Sequence, residues 1–210
     1  MKLKSALSAP EGWETISAET HFEDAHLTVS TVEVRSPEGL KVHRWTVVRR
    51  KAAVVVAPLT ADGKLVLIRQ ERVPIRAALW EVPAGQVDDA NDTHTDKLAA
   101  VALRELREET GYELSEGGEV LPLGHFFSSP GFTDEQGFFF LARTVAPGAS
   151  GSPPAESESI LDCRAFGPEE IANMIVTGEI RDANTLGICA KLIARGLLSL
   201  DAQVFSDGPA

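Results

Sequence analysis

The feature that most constrains the fold is the segment DKLAAVALRELREET at residues 96–110, followed by Gly111. Its apolar residues recur at helical spacing and form one arc, and glycine is a common helix stop, so one amphipathic helix is predicted here. Glu105, Glu108 and Glu109 are spaced i, i+3, i+4 and share the face beside that arc. The helix therefore has a core side and a strongly acidic side.

The acidic side conflicts with the local physics of a helix. Three carboxylates repel one another, and two of them lie in the last turn, at the negative end of the helix dipole. Arg104 precedes Glu108 by four residues, which is the weaker orientation for a helical ion pair, so little relief is expected from the arginines. A solvated charged face is the simple interpretation. A bound divalent cation would resolve the conflict, and hard oxygen ligands indicate Mg²⁺, or Mn²⁺ in its place.

Charge and composition exclude several classes of protein. The formal net charge is -11, whereas nucleic-acid-binding proteins usually carry a basic surface, so no nucleic-acid partner is expected. No apolar run is long enough for a membrane span or a signal peptide. Cys163 and Cys189 are too few for a disulfide framework and are interpreted as small buried apolar residues, which favours a cytoplasmic location.

The order of strand and helix signals predicts an α/β (α+β) protein with a mixed central sheet and helices on its faces. Residues 1–50 form an N-terminal extension with antiparallel strands, 51–200 form the main domain, and 201–210 are a loose tail. Pro83 and Gly85 predict irregular backbone in WEVPAGQV. Main-domain strands are expected at 52–59, 65–73, 119–127, 136–145 and 160–166, and further helices at 168–177 and 183–198.

The stretch RELREETGY, residues 104–112, resembles the end of the Nudix box, G-x5-E-x7-R-E-U-x-E-E-x-G-U, in which U is apolar. The sequence departs from the pattern at two places. Asp96 occupies the position of the first glutamate, and Gly85 precedes Arg104 by nineteen residues instead of fourteen. A five-residue insertion in the loop QVDDANDTHT explains the spacing, and lengthening a surface loop costs little.

The resemblance extends over roughly residues 40–198. RQER with WEVPAG, SSPGFTDE and PAESESI are similar to segments of ADP-ribose pyrophosphatases and related nucleotide-sugar pyrophosphatases. It implies a Nudix-type α/β/α sandwich and Mg²⁺-dependent hydrolysis of ADP-ribose to AMP and ribose 5-phosphate. GDP-mannose or another nucleoside-diphosphate sugar is the alternative substrate. A non-catalytic nucleotide-binding module and a purely structural domain are further alternatives.

The resemblance also assigns roles to residues. Glu156 in the acidic loop is the expected general base, although Glu156 and Glu158 could exchange roles. Phe132 is either a core residue or part of a pocket wall, and the core is favoured. The related enzymes are commonly homodimers whose N-terminal strands reach the partner's site, so a homodimer is predicted. The implied metal ligands are Ala84 (carbonyl), Glu105, Glu108, Glu109 and Glu158, the implied catalytic residues are Glu156, Glu108 and Arg104, and the implied substrate-binding residues are Arg44, Arg72, Glu81, Gly85, Gly131 and Glu135.

Overall fold

A computed structural model describes residues 12–39, 41–87, 94–148 and 159–199. The predicted tail, the inserted part of the box loop and most of the acidic loop lie outside the described residues. Within the described ranges there are two β-sheets and three α-helices. None of these helices is long and apolar enough to cross a membrane.

The N-terminal region forms a separate three-stranded antiparallel sheet in the order β1-β2-β3. The sequence pattern predicted strands in this region, and β2 and β3 match the two segments with the clearest alternation. The side chains of β1 are all exposed, so alternation there does not correspond to a buried face. The strands are β1 (Glu14–Glu23), β2 (Leu27–Arg35) and β3 (Val42–Arg50).

The second sheet has seven strands and is mixed, as predicted. Its main order is β10-β5-β4-β9-β8, with β6 paired to β5 and β7 paired to β4. The β4–β9 pair is parallel and the other pairs are antiparallel. The strands are β4 (Ala53–Thr60), β5 (Leu65–Arg72), β6 (Ala77–Glu81), β7 (Ala84–Gln86), β8 (Tyr112–Phe127), β9 (Gln136–Pro147) and β10 (Ile160–Phe166).

Helices cover both faces of this sheet. The helices are α1 (Thr95–Thr110), α2 (Pro168–Thr177) and α3 (Ala183–Ala194). One core cluster joins Leu98 and Leu106 of α1 to one side of β4 and β9, and a second joins residues of α2 and α3 to the other side. Because both faces are buried, β4 and β9 read as continuous apolar runs. The predicted α/β/α sandwich is confirmed.

Three boundaries differ from the sequence prediction. WEVPAGQV contains the end of β6 and the whole of β7, on either side of Pro83, where the missing N–H interrupts no ladder. Strand β8 begins directly after the Gly111 cap and contains an irregularity between Leu114 and Glu119, so its first half lacks a clean period of two. Helix α3 ends at Ala194, shortly before a glycine with positive φ.

Candidate active site

The acidic end of α1 is folded against the sheet, so that two of its three glutamates are buried. Gly111 ends the helix with φ 70°, and its N–H donates to the Arg107 carbonyl oxygen. Glu105 and Glu109 lie one turn apart and are only 5% and 1% exposed. Both belong to the rim of the face that carries the α1 core residues. A charged side chain is rarely this buried unless it is paired or holds a cation.

Strand β7 supplies the surface that these two carboxylates contact. The Ala84 N–H donates to Glu109 Oε2 at 2.9 Å. At Gly85, a Cβ would overlap the carboxyl group of Glu105, so any larger residue would have to displace that side chain. Ala84 and Gly85, at the start of the box, therefore contact Glu109 and Glu105, near its end.

Arg104 links the carboxylates on the outer side of the helix. Its Nη2 donates to Glu105 Oε1 at 2.6 Å and its Nη1 donates to Glu108 Oε2 at 2.8 Å. The Glu108 side chain is 43% exposed. The sequence suggested that the arginines relieve the repulsion poorly. In the structure one guanidinium bridges two of the three glutamates, because its planar fork reaches both.

A cavity of about 610 Å³ opens beside Ala84 and Gly85. One part of its wall holds Arg72, whose Nε and Nη2 donate to Glu81 at 2.6–3.1 Å. Glu81 is 4% exposed, and its hydrogen bond to Arg72 raises the pKa of the arginine further. The Arg72 guanidinium stays charged within this ion pair, and its N–H groups that do not bond to Glu81 are suited to phosphate oxygens.

Asp182, at the start of α3, also lines the cavity. Its Oδ2 accepts a hydrogen bond from the Thr185 N–H at 2.9 Å and caps the helix. Burial raises the pKa of this carboxyl group, and the nearby charge of Glu81 adds to the rise. Asp182 was not predicted from the sequence as a site residue. Its position, directly before a helical segment, is typical of an ordinary helix cap and gave no sign of a cavity residue.

A second group of polar residues lines the cavity near the end of β3. Glu135 forms an ion pair with Arg50 at 2.8 Å and accepts a hydrogen bond from Ser128 Oγ at 2.6 Å. Glu135 was predicted to bind substrate, whereas Arg50 and Ser128 were not. Arg50 is the second of two adjacent arginines before a buried strand, and the sequence offers no reason to prefer it over Arg49.

The remaining predicted residues lie elsewhere. Arg44 is exposed on β3 and does not line the cavity. The Gly131 carbonyl accepts a hydrogen bond from Trp45 Nε1 at 2.8 Å, so it contacts the N-terminal sheet. The expectation that Phe132 lies in the core is wrong, because its side chain is 53% exposed. Glu156 and Glu158 lie outside the described residues.

The donor set fits a hard divalent cation. Glu105 and Glu109 offer carboxylate oxygens, and the missing Cβ of Gly85 leaves the space in which the Glu105 carboxyl group lies. Across the described parts of the chain, no group of three or more Asp, Glu, His or Cys side chains forms a complete metal site. A cation held here would thus need the Ala84 carbonyl, a residue outside the described ranges, water or substrate as additional ligands.

Comparison with known proteins identifies the family. The family model described as NUDIX domain matches residues 48–186. The chain belongs to the Nudix family. The match includes the box, the cavity residues and the first turn of α3. It confirms the family predicted from RELREETGY, and with it the prediction of a Nudix hydrolase.

Several members of the family are similar over most of the chain. The ADP-ribose pyrophosphatase of Mycobacterium tuberculosis (strain ATCC 25618 / H37Rv) is 31% identical over 93% of this chain and 89% of its own. The ADP-ribose pyrophosphatase of Bacillus subtilis (strain 168) is 27% identical over 82% and 88%. The GDP-mannose pyrophosphatase of Enterobacter sp. (strain 638) is 28% identical over 89% and 95%.

A solved structure described as an ADP compounds hydrolase has the same fold. Its TM-score is 0.67, its sequence identity is 18%, and the alignment covers 90% of this chain and 98% of the other.

Proposed function

We propose that this Nudix protein hydrolyses the diphosphate of a nucleoside-diphosphate sugar, with ADP-ribose as the substrate and AMP and ribose 5-phosphate as the products. We propose Mg²⁺ as the metal. Two of the similar proteins are ADP-ribose pyrophosphatases, and they support the choice of substrate.

The observation that carries the proposal is the pair of buried carboxylates at the end of α1. Glu105 and Glu109 are almost fully buried beside Ala84 and Gly85, which line the cavity. Burying two carboxylates one helical turn apart carries a large desolvation penalty, so stability of the fold is a poor reason for their presence. They are well explained as ligands of a cation that offsets their charge and that of a diphosphate.

Each residue has a distinct task in this proposal. When bound, the divalent cation neutralises diphosphate charge and acidifies a water molecule. Glu105 and Glu109 hold the cation on a rigid helix, and Arg104 orients Glu105 and Glu108. Arg72, held in place by Glu81, donates to phosphate oxygens and keeps its charge at every working pH.

We further propose that the general base comes from the acidic loop, as Glu156 or Glu158. A base on a loop can approach the phosphorus after substrate enters, whereas the helix glutamates stay fixed. Replacing each residue in turn by glutamine distinguishes them. Loss of the base lowers kcat by about 100-fold or more and flattens the acid limb of the pH profile. A profile unchanged in both variants would reject the loop as the source.

The substrate proposal is tested with purified protein, ADP-ribose, GDP-mannose and NADH, each with and without Mg²⁺, and with identification of the products. ADP-ribose should give the highest kcat/KM, and omission of the metal should abolish turnover. Preferred turnover of GDP-mannose would favour the second candidate, which the similar GDP-mannose pyrophosphatase supports. Absence of turnover with every diphosphate would contradict the enzyme proposal.

The metal ligands are tested separately. The double variant Glu105→Gln/Glu109→Gln keeps the size of both side chains but removes both charges. We expect loss of Mg²⁺-dependent turnover by at least about 1,000-fold while the fold is retained. Titration with Mn²⁺, monitored by electron paramagnetic resonance, should show that the double variant binds the ion more weakly than the unmodified protein does. Retained turnover in the double variant would overturn the ligand assignment.

We also propose that residues 1–50 are a dimerisation and substrate-contact region and that the protein is a homodimer. The N-terminal sheet carries large apolar side chains in contact with solvent: Trp13 and Trp45 are 45% and 55% exposed, and Phe22 is 53% exposed. Aromatic side chains exposed to solvent are enriched in protein–protein contacts. In this arrangement Arg44, absent from the cavity of its own chain, would reach the site of the partner.

A further inference from the structure

A cavity of about 410 Å³ lies against the face of β6 opposite to the cavity of the candidate active site. The residues that define this Trp80 cavity are Arg69, Trp80, Arg181 and residues 177–179 at the end of α2. Consecutive residues divide between the two cavities. Trp80 lines the Trp80 cavity whereas Glu81 lines the other, and Arg69 and Gln70 divide in the same way. Because consecutive side chains of a strand point to opposite faces of a sheet, the Trp80 cavity is a separate site.

The indole ring of Trp80 is held in place by its neighbours. It packs edge-on against Phe166, with the ring centroids 4.9 Å apart, and it is half-buried against the core cluster that includes α2 and α3. The guanidinium carbon of Arg164 lies 5.8 Å from the indole centroid, where the ring face attracts its charge. Arg164 also pairs with Asp162 at 2.6 Å. The ring therefore gives the cavity a fixed apolar surface.

Two further arginines bring positive charge to this cavity. Arg69 lies directly opposite Trp80 in the β5–β6 ladder, so the two side chains share one face of the sheet. Arg181 approaches from the segment between α2 and α3. Among the residues that the structure describes, neither arginine has a carboxylate within ion-pair distance. Like charges that face one cavity without partners do not stabilise a fold, so their arrangement points to a function.

The lining of the Trp80 cavity is positive although the chain is acidic. Glu179 is the one acidic residue among the described lining residues, and it accepts a hydrogen bond from Thr177 Oγ1 at 3.3 Å. Two arginines and one glutamate leave a net charge of +1 at the cavity, whereas the whole chain carries -11. The local charge therefore favours an anionic ligand.

The chemistry of the lining indicates which anion fits. Guanidinium groups present planar forks of N–H donors that match phosphate oxygens. The cavity is larger than a phosphate group and has the size of a small-molecule site, and the indole offers apolar surface to an organic part. We propose that the Trp80 cavity is a second ligand site that binds a phosphate monoester, with the phosphate on Arg69 and Arg181 and the organic part against Trp80.

The test measures binding by isothermal titration calorimetry in the absence of divalent metal, with ribose 5-phosphate, AMP and inorganic phosphate as probes. Arg69→Gln/Arg181→Gln should weaken binding of the tighter ester by at least about tenfold, with an unchanged thermal midpoint, because hydrogen bonds to charged groups contribute this much. Arg107→Gln/Arg143→Gln is the matched control, since it removes two charges from exposed residues of α1 and β9. The control should bind as the unmodified protein does.

Three outcomes of the titrations would overturn the inference. The first is equal affinity in the two double variants, and the second is the absence of binding of every probe at millimolar concentration. The third concerns the organic part. Inorganic phosphate should bind more weakly than the tighter ester, so equal affinity for all three probes would contradict the contact with Trp80.

Two further measurements locate the ligand. The indole N–H signal of Trp80 in nuclear magnetic resonance spectra, assigned by its loss in Trp80→Phe, should shift during the titration more than those of Trp13 and Trp45. Arg72→Gln, which alters the candidate active site, should retain the binding. Loss of binding in Arg72→Gln with an unmoved Trp80 signal would place the ligand in the other cavity and overturn the inference. Because these measurements need no turnover, a protein that hydrolyses no diphosphate would contradict the function proposed above and not this site.

Discussion

At the residue scale, the site depends on small differences in side-chain volume. Gly85 is needed because the Glu105 carboxyl group occupies the space that a Cβ would fill. The glycine thereby connects two parts of the box that lie far apart in sequence. This requirement is steric, and it acts on a carboxylate whose position is the basis of the proposed metal site.

We predict that Gly85→Ala displaces Glu105 and lowers kcat/KM by about 100-fold, because small displacements of catalytic groups have effects of this size. The fold should persist, as judged by circular dichroism. Gly167→Ala is the control, since a Cβ there meets only Glu170 Oε2, at an ordinary 3.5 Å. Full activity of Gly85→Ala would contradict the steric argument.

The two thiols show how burial alters chemistry at this scale. Burial raises the pKa of Cys163 to about 11 and that of Cys189 to about 12. The thiolate is the reactive form, so its fraction at pH 9 falls to about one hundredth for Cys163 and less for Cys189. We predict that both react with a disulfide reagent at least about 50-fold faster after denaturation than in the folded protein at pH 9. Rapid reaction of the folded protein would contradict this.

At the scale of elements, helix ends carry much of the site. Helix α1 delivers its last two turns to β7, and α3 begins at the cavity. Asp182 both caps α3 and lines the cavity. Its Oδ2 accepts the Thr185 N–H, while its Oδ1 is buried without a hydrogen-bond partner among the described residues. Helix α3 is further tied to the sheet because Thr185 Oγ1 accepts the Val82 N–H at 3.0 Å.

The charge of Asp182 should therefore affect stability in a pH-dependent way. Its pKa is raised in the folded state, so its contribution to stability is present below pH 3.8 and is lost as the pH rises through the folded-state value. Asp182→Asn keeps an oxygen for the cap and removes the titration. We predict that the variant gains stability relative to wild type between pH 4 and pH 7, measured by urea denaturation.

Asp162→Asn provides a control of opposite sign. The pKa of Asp162 is lowered by its hydrogen bond with Arg164, so wild-type stability from this group is present above pH 3.8 and is lost on acidification. This variant should lose stability relative to wild type as the pH rises, by a small amount because the pair is exposed. Equal pH trends for the two variants would contradict the argument.

At the scale of the whole molecule, the N-terminal sheet and the sandwich meet beside the cavity. Trp45 Nε1 donates to Gly131, and Arg50 pairs with Glu135, so the sheet supports the segment after β8. The outer strand β1 leaves its side chains exposed. Strand β3 of this sheet thus contacts the main domain of the same chain, whereas the side chains of β1 are exposed to solvent.

We predict a homodimer, measured by light scattering at micromolar concentration. Phe22→Ser with Trp13→Ser should weaken association by at least about tenfold, because exposed aromatic residues dominate such contacts. Leu161→Ser, an exposed apolar residue on β10 outside the N-terminal sheet, is the control. A monomer that is active at nanomolar concentration would refute the dimer.

The sequence by itself determined the helix, its acidic face and most of the strand order. These features depend on local periodicity and on the Gly111 stop, which short-range physics specifies. It also predicted that residues near Gly85 meet the glutamates of α1, through the resemblance of RELREETGY to the Nudix box. The short strands around Pro83 and the first half of β8 were missed, because edge pairing and irregular register leave no clean period.

Only the tertiary structure decided which polar residues face the cavity. Arg50 and Arg49 are indistinguishable in sequence, and Asp182 reads as a plain helix cap, yet Arg50 and Asp182 line the cavity. Phe132 is a large apolar residue of the type usually found in a core, yet its side chain is exposed where its segment contacts β3. The physical reason is that the direction of these side chains depends on contacts between elements more than 80 residues apart, such as the bond from Arg50 to Asp134.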